Sequence, residues 1–348
     1  MGDFHRFILK RSLNMVIVLF STLILTMILV GSTMDKIVLD ATRSSVVDEA
    51  NHSNIRFQST EERQKYIDQR INLQIKAIGL DEPWYSPKRF ANTMLKVMLL
   101  DLGKSNYLTS DEGSANVRDI ILEKLPKTLL LFTTSILIIT VIGLYLGAFA
   151  ANHAGSLWDK INSAFAVFSS SFPTWWVGML MIFAFAFTYH IFPALATPLT
   201  PPSDPSYPFD LLYHMILPLL TIVVVGFGSW AYIVRYFVIG ILGEDYIIAK
   251  RAAGIPQRRI LYSHALKNAA PPIITVVALS LASSFGGAIT VEAVFGWPGI
   301  GSLYYQAIAF FDIPVIIGLT YISTLIFVST VFVTDIAYAY FDPRVKLA

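Results

Sequence analysis

Six long apolar stretches alternate with polar segments along the chain. A helix that crosses a bilayer needs about 20 predominantly apolar residues, and only a helix or a closed barrel can cross, because hydrocarbon offers the backbone no hydrogen-bond partner. The pattern therefore predicts an all-α polytopic membrane protein with six transmembrane helices. The predicted spans cover approximately residues 13–34, 125–150, 161–189, 211–242, 270–291 and 313–340.

The first stretch admits a second interpretation as a signal peptide, because three basic residues precede it and small residues follow. The apolar run of about 20 residues is longer than the roughly 7–15 residues of a signal-peptide core, which favours a membrane anchor. The spans then divide the chain into an amino-terminal part with the first span (1–34), an external segment (35–124) and a core membrane domain with the remaining spans (125–348).

Lys and Arg in the short loops predict the orientation, since they favour the cytoplasmic side. Three lie at the amino terminus (Arg6, Lys10 and Arg11) and five in the loop at 243–268, whereas the loop at 292–312 has none. With an even number of spans, both termini are expected in the cytoplasm. The long segment 35–124 carries both signs of charge, but long segments cross regardless of charge.

Within the external segment, Ser59 and Glu62 form a capping box at the start of an isoleucine stripe, which predicts a helix that ends near Gly79. The preceding residues 40–58 are polar and predict a loop.

Composition agrees with a membrane protein: 55% of the residues are hydrophobic and 14% are charged, against roughly 25% charged residues in soluble domains. Membrane lipid is the expected surrounding, and a net charge of +2 gives no reason to expect a nucleic-acid partner. Without cysteine there is no thiolate metal site, and we predict no metal site and no catalytic residue.

The basic loop at 244–268 contains helix formers on both sides of Gly254-Ile255-Pro256. Gly permits a helix to stop and Pro suits the first turn of the next helix, so the pattern predicts a helix, a sharp corner and a second helix. Such an elbow can dock into a groove on another protein, but an ordinary basic loop at the membrane surface fits the pattern equally well.

Ionisable residues inside spans commonly mark a transport pathway. Arg235 and Asp335 lie close enough to the inner interface for snorkelling or pairing, and His214 near the other end of its span is expected at the interface. A secondary transporter driven by protons or sodium is a distant alternative function for a chain with several spans. Such carriers place ion sites near the midplane of the membrane, within inverted repeats. We find neither feature in the sequence.

Enzymatic motifs are missing from the sequence, which contains neither HExxH nor GxSxG. The ending of an ATP-binding phosphate loop occurs at Gly103-Lys104-Ser105, but Met98 stands where the first Gly belongs. The chain is therefore not expected to be an enzyme.

A set of ordered motifs closely resembles the permease subunits of the dipeptide/oligopeptide family of ATP-binding cassette importers. The likeness covers most of the chain. Its motifs are FILKR (7–11), LLDLGKSNY (99–107), ILEKLPKTL (121–129), SSSFPTWWVG (169–178), DYIIAKRAAGIPQRRILYSHALKN (245–268), GGAITVEAVFGWPGIGSLYYQAI (286–308), DIPVIIGL (312–319) and DPRVK (342–346).

The resemblance implies a type I importer permease fold in a prokaryotic plasma membrane, working by alternating access. The implied partners are a second permease, two cytoplasmic ATPases that bind ATP and Mg, and an external substrate-binding protein; no cofactor is implied in this chain. Peptides are the implied substrate, with oligosaccharides as the alternative.

The resemblance also assigns two groups of residues. The elbow becomes the coupling helix that seats in the ATPase, although the positions of the family's Glu-Ala-Ala pattern hold Ile248, Ala249 and Lys250, so the first and third depart from it. The segment after the fifth span becomes an external gate, for which an interfacial turn is the alternative. The coupling residues are Asp245, Tyr246, Arg251, Ala252, Ala253, Gly254, Arg258, Arg259 and Leu266; the gate residues are Glu292, Phe295, Trp297, Pro298, Gly299 and Gly301.

Overall fold

A computed structural model describes residues 2–52, 57, 59–77 and 82–341 of the chain. Of these residues, 79% are helical. Within these residues no β-strand forms, so the all-α prediction is confirmed. The helices are α1 (Gly2–His52), α2 (Thr60–Ala77), α3 (Pro87–Met98), α4 (Val117–Asn152), α5 (Leu157–Ser170), α6 (Thr174–Met181, continued by a π-helix over Ile182–Thr188), α7 (Tyr207–Leu242), α8 (Asp245–Ala252), α9 (Gln257–Arg259, continued by a π-helix over Ile260–Ala265), α10 (Leu266–Ser283), α11 (Ile289–Phe295), α12 (Ile300–Ala309) and α13 (Ile313–Phe341).

Four of the described helices are long and apolar enough to cross a membrane. They are the Arg6–Gly31 part of α1, the whole of α4 and α7, and the Ile313–Ile336 part of α13. Helices α5 and α6, with the π-helix, form a pair bent by 95° that makes a fifth span if it crosses as one unit. Five of the six predicted spans therefore have a counterpart.

The predicted span at 270–291 is not one continuous helix. Helix α10 ends at Ser283, a single 3-10 turn follows over Ser284–Gly286, and α11 begins at Ile289. Gly287 at the break has a φ of +63°, which a helix cannot contain. The number of six spans thus stays a prediction.

The prediction of a loop at 40–58 is wrong for the first part of that range, because α1 continues as a helix to His52. Val46 and Ala50 of this extension are buried against Ile67 of α2. Arg70 of α2 also forms an ion pair with Glu49, with 2.5 Å between nitrogen and oxygen. These contacts give a polar stretch a buried face, which is what stabilises helices in proteins.

The helix predicted after Ser59 is confirmed as α2. The Ser59 hydroxyl accepts a hydrogen bond from the backbone N–H of Glu62 at 3.1 Å, as a capping serine does. The predicted end at Gly79 lies outside the described residues.

The chain divides into two compact units, one of which comprises residues 9–120 and 310–325. In this unit, Asp312 fixes the loop after α3 to the start of α13. One oxygen of its fully buried carboxylate accepts hydrogen bonds from the Ser105 hydroxyl at 2.6 Å and from the N–H groups of Asn106 and Tyr107 at 3.1 and 3.0 Å.

Of the described residues, the other unit contains 2–8, 121–309 and 326–341. Helix α7 passes close to α4 at Gly143 and Gly147, where a Cβ on Gly147 would lie 2.5 Å from the carbonyl oxygen of Ala231. Small residues four positions apart permit this close approach of helices in membranes.

A buried ion pair joins α5 to α7 in the same unit. The Arg235 guanidinium donates to both carboxylate oxygens of Asp159, through Nε to Oδ1 and through Nη2 to Oδ2 at 2.7 Å, and the Gly155 N–H donates to Oδ2 at 2.8 Å. Of the two expectations for Arg235, snorkelling and pairing, the structure shows pairing.

Candidate functional site

The predicted elbow has the predicted geometry of helix, corner and helix. At the end of α8, Gly254 adopts a φ of +79°, which glycine takes without steric cost. Its N–H donates to the carbonyl of Arg251 at 3.0 Å, and the N–H of Ile255 donates to the carbonyl of Lys250 at 3.2 Å. This pair of bonds is a Schellman motif, so the corner is a defined turn.

The inner face of the elbow is anchored by apolar burial. Ile247 of α8 and Ile260, Leu261 and Ala265 of the π-helix after α9 lie in one buried cluster with Val238 of α7. Because a buried Ile or Leu side chain contributes roughly 1.5–3 kcal/mol, the three larger residues, Ile247, Ile260 and Leu261, hold the elbow firmly on the ends of α7 and α10.

Three polar contacts add to this anchor. The Gln257 amide donates to Asn152 at the end of α4 at 2.9 Å, and the Asn268 amide donates to the Tyr246 hydroxyl at 2.6 Å. Lys250, one of the two residues that depart from the family pattern, contacts His264 Nδ1 at 2.9 Å. Since an ammonium group only donates, Nδ1 must be the unprotonated nitrogen of a neutral imidazole. Burial and the neighbouring charges, first that of Lys250, lower the pKa of His264 and favour this neutral form.

The outer face carries the predicted coupling residues. These residues are exposed, whereas the inner face of the elbow is buried. They therefore form one continuous exposed surface on the elbow. Leu266 is the exception: it is half-buried and packs against the apolar cluster. The exposed coupling residues are Asp245, Tyr246, Arg251, Ala252, Ala253, Gly254, Arg258 and Arg259.

The predicted gate residues surround a buried carboxylate. Glu292 on α11 is fully buried. Its Oε1 accepts from the Thr128 hydroxyl at 3.1 Å, and its Oε2 accepts from the N–H groups of Gly301 and Ser302 at 2.9 and 3.2 Å. The Thr128 hydroxyl also accepts from the N–H of Ile300 at 2.7 Å. The carboxylate thereby ties α4, α11 and α12 together.

Glycines make room for this carboxylate. A Cβ on Gly299 would overlap both the Glu292 carboxylate and the Thr128 hydroxyl, and a Cβ on Gly287 would lie 2.6 Å from Glu292 Oε1. A Cβ on Gly301 would lie 2.8 Å from the backbone carbonyl carbon of Ala288. Packing around the Glu292 side chain therefore requires glycine at 287 and 299, and packing against the Ala288 backbone requires glycine at 301.

Burial raises the pKa of Glu292 to about 7, although the hydrogen bonds from Ser302, Thr128 and Gly301 lower it. A carboxyl group loses water on burial, and hydrogen bonds to its charged form recover part of that loss. Glu292 therefore changes its charge near neutral pH.

The two aromatic residues of the predicted gate are buried. Phe295 and Trp297 pack with Leu131 of α4 and Leu217 of α7, and the Trp297 indole donates to the carbonyl of Lys127 at 3.1 Å. Pro298 is half-buried beside them. The rings lie within the unit, and their function as a gate stays a prediction.

Sequence reasoning missed Thr128 and Asp159. Thr128 lies in the motif ILEKLPKTL, which marked the segment but not the side chain, and no local pattern connects it to Glu292, 164 residues away. Asp159 lies in the first turn of α5, and no local pattern connects it to Arg235, 76 residues away. Among the described residues, no cluster of three or more His, Asp or Glu side chains forms a metal site.

Comparison with known protein families gives a match over residues 143–347 to the family described as binding-protein-dependent transport system inner membrane component. This range begins within α4 and includes the elbow, Glu292 and its surrounding glycines.

Several characterised or named proteins are similar over most of their length. The chain is 30% identical to the oligopeptide transport system permease protein AppB of Bacillus subtilis over 247 residues, which are 69% of this chain and 78% of AppB. It is 32% identical to the dipeptide transport system permease protein DppB of the same organism, covering 72% of this chain and 76% of DppB. A putative peptide permease of Brucella suis is 32% identical, with 78% of this chain and 82% of that protein covered.

Proposed function

Because the chain belongs to the family of inner membrane components of binding-protein-dependent transport systems, we propose that it is a permease subunit of an ATP-driven importer of peptides. The relatives are named for oligopeptide and dipeptide transport, and this favours peptides over oligosaccharides as the substrate. A second permease, two cytoplasmic ATPases and an external substrate-binding protein complete the importer.

The observation that carries the coupling step is the two-faced elbow. Its inner face is buried against α7 and α10, whereas its outer face exposes the residues that the family resemblance assigns to the ATPase contact. An ATPase that moves the outer face thus moves both spanning helices, since the apolar anchor and the Schellman corner transmit displacement without a flexible joint. Arg258 and Arg259, exposed beside the corner, meet acidic groups of the ATPase.

Alternating access follows from this linkage. Closure of the two ATPases on ATP displaces the elbow, and α7 and α10 change which side of the pore is open. The Glu292 site lies in the segment that follows α10, where its hydrogen bonds join α4, α11 and α12. In this mechanism the joined helices form the external gate as one body.

The proposed topology has six spans with both termini in the cytoplasm. The fifth of these spans covers approximately residues 270–291 and contains most of α10, and the segment 292–312, which contains α12, lies at the external mouth. The segment 35–124, with the α1 extension and α2, lies outside and contacts the substrate-binding protein.

The coupling step is tested with a Gly254→Asp variant in the full importer. Aspartate at this site adds a side chain and a charge to the exposed corner, where no other atom lies within 4 Å of the new Cβ. We expect normal membrane insertion, loss of ATPase subunits on purification, and loss of ATP-driven peptide uptake into proteoliposomes.

Gly113→Asp is the matched control. Gly113 has a φ of +83° and likewise has no atom within 4 Å of an added Cβ, so both variants carry the same backbone strain of about 1–2 kcal/mol. It lies in the segment predicted to be external, where no ATPase contact is proposed. Retained ATPase binding and uptake in Gly254→Asp, or equal losses in both variants, would refute the assignment of the elbow.

A further inference from the structure

Helix α3 has two apolar faces, and only one of them packs against the rest of the protein. Met94 and Val97 on the first face are buried. On the second face, Leu95 is 58% exposed and Met98 is 38% exposed. Because residues three and four apart share one side of a helix, Ala91, Leu95 and Met98 form a continuous exposed apolar stripe. Such a stripe marks contact with another protein or with lipid.

Contacts at the start of α3 place it at the level where the apolar part of α1 ends. The Trp84 ring, three residues before α3, packs on Gly31, where a Cβ would lie 2.7 Å from Trp84 Cδ2. Gly31 is the last residue of the part of α1 that is long and apolar enough to cross a membrane. One turn further along α1, Asp35 accepts two hydrogen bonds from Arg89 of α3, at 2.5 and 3.0 Å. The start of α3 therefore lies at a membrane boundary, where Trp is enriched.

A contact at the other end of α3 places it beside α13 on the same side of the membrane. The Tyr321 hydroxyl donates to the carbonyl of Met98 at 3.3 Å. Tyr321 lies eight residues after Ile313, where the apolar part of α13 begins, which is about 12 Å along the helix. Helix α3 has 12 residues and is about 18 Å long, too short to join opposite sides of a hydrocarbon core of about 30 Å. Interfacial helices bury their apolar face about 5–10 Å below the headgroups, and α3 is held near that depth.

The charge of α3 favours lipid over protein as the partner that covers the stripe. None of its 12 residues is acidic, and Lys88 and Lys96 are exposed beside the stripe. Lys88 lies 3.9 Å from Glu82 and is 89% exposed, so this surface ion pair holds it weakly. Protein interfaces are depleted of lysine. At a membrane surface, by contrast, a lysine packs its stem on apolar groups and keeps its ammonium among the headgroups.

We propose that α3 is a lipid anchor that lies in the membrane interface. The stripe of Ala91, Leu95 and Met98 contacts the acyl chains, and Lys88 and Lys96 bind the phosphates of anionic lipids. The anchor holds the segment after α1 on the bilayer surface. This inference requires that α1 and α13 cross the membrane, and it is independent of what the protein transports.

The first test measures the depth of α3 with spin labels, which attach at one site because the chain has no native cysteine. Leu95→Cys and its matched control Leu73→Cys place the label at leucines of similar exposure, 58% on α3 and 61% on α2. The full chain is held in lipid nanodiscs. We expect the label at position 95 to collide with oxygen, which concentrates in hydrocarbon, and to be protected from a water-soluble nickel complex. The label at position 73 should show the reverse.

Two outcomes of this test would overturn the anchor. Equal access of the nickel complex to both positions would show that the stripe lies in water. Protection of position 95 from both reagents would show that protein covers the stripe, whether a second copy of the chain or another subunit.

The second test identifies the lipid headgroup. A bimane fluorophore on Leu95→Cys is quenched in nanodiscs that contain phosphatidylglycerol and phosphatidylcholine, with bromine on the acyl chains of one lipid at a time. We expect stronger quenching by phosphatidylglycerol, and Lys88→Gln or Lys96→Gln should reduce this preference about fivefold, which corresponds to about 1 kcal/mol for a lysine near an anionic surface. Lys65→Gln, at an exposed position of α2, is the control and should leave the preference unchanged. Equal quenching by the two lipids before any lysine is replaced, or equal effects of all three substitutions, would overturn the assignment of these lysines to lipid phosphates.

Discussion

Glu292 makes a prediction about how stability depends on pH. Its carboxyl group is fully buried, and burial raises its pKa from 4.5 to about 7. The folded-state pKa lies above the unfolded value, so the stability linked to protonation is complete below about pH 4.5 and is lost as the pH rises through about 7.

The size of the effect follows from the interval between the two pKa values. Each pH unit between them corresponds to about 1.4 kcal/mol, which gives about 3 kcal/mol in total and about 2–3 kcal/mol between pH 5 and pH 8. For a chain of this length, 1 kcal/mol moves the melting temperature by roughly 2 °C, so the wild type should lose about 5 °C over that range from this group alone.

The assay compares wild type with Glu292→Gln in thermal unfolding of the detergent-solubilised protein at pH 5 and pH 8. Other titrating groups change stability too, and the lowered pKa of His264 acts in the opposite direction, with stability lost as the pH falls below about 6.5. Those contributions cancel in the difference between the proteins. Glu112→Gln, at an exposed position, controls for the loss of a negative charge. Parallel pH profiles for wild type and Glu292→Gln would refute the reasoning.

Two further predictions concern buried carboxylates. Arg235→Gln leaves the Asp159 carboxylate buried without its cation and should destabilise the protein by about 3–5 kcal/mol, whereas adding Asp159→Asn to it should restore most of the loss in thermal unfolding. Asp312→Ala removes the acceptor of three hydrogen bonds worth about 1 kcal/mol each, so the loop that contains Ser105 should be cut faster by protease. Asp312→Asn keeps an acceptor oxygen at this position and should have a smaller effect, and equal cleavage rates in all three proteins would contradict this account.

The spans were predictable because a bilayer imposes one requirement on every crossing helix, a run of apolar residues about 20 long. The α1 extension was not predictable by that rule, since LDATRSSVVDEANH is polar and its helical state depends on contacts of Val46 and Ala50 with Ile67 of another helix. The hydrophobic pattern within one segment does not show which other segment of the chain packs against it.

The same limit applies to the candidate site. The corner at Gly254 and Pro256 was predictable, because both residues constrain the backbone locally. The contact of Gln257 with Asn152 and the bond between Thr128 and Glu292 join residues more than 100 positions apart, and only the folded chain reveals them. The motif resemblance pointed to the segment 286–308 as a whole, and only the packing shows that Gly287 and Gly299 make room for the Glu292 carboxylate.

Because α1 is long, a small rotation of its membrane-spanning part produces a large displacement of its far end. After the apolar window ends at Gly31, the same helix continues to His52, which adds about 30 Å at about 1.5 Å per residue. A tilt of about 10° in the membrane-spanning part then sweeps the far end through about 5 Å, a distance comparable to one helical turn. A spectroscopic probe near His52 would therefore detect changes of tilt that displace residues near Gly31 by less than about 1 Å.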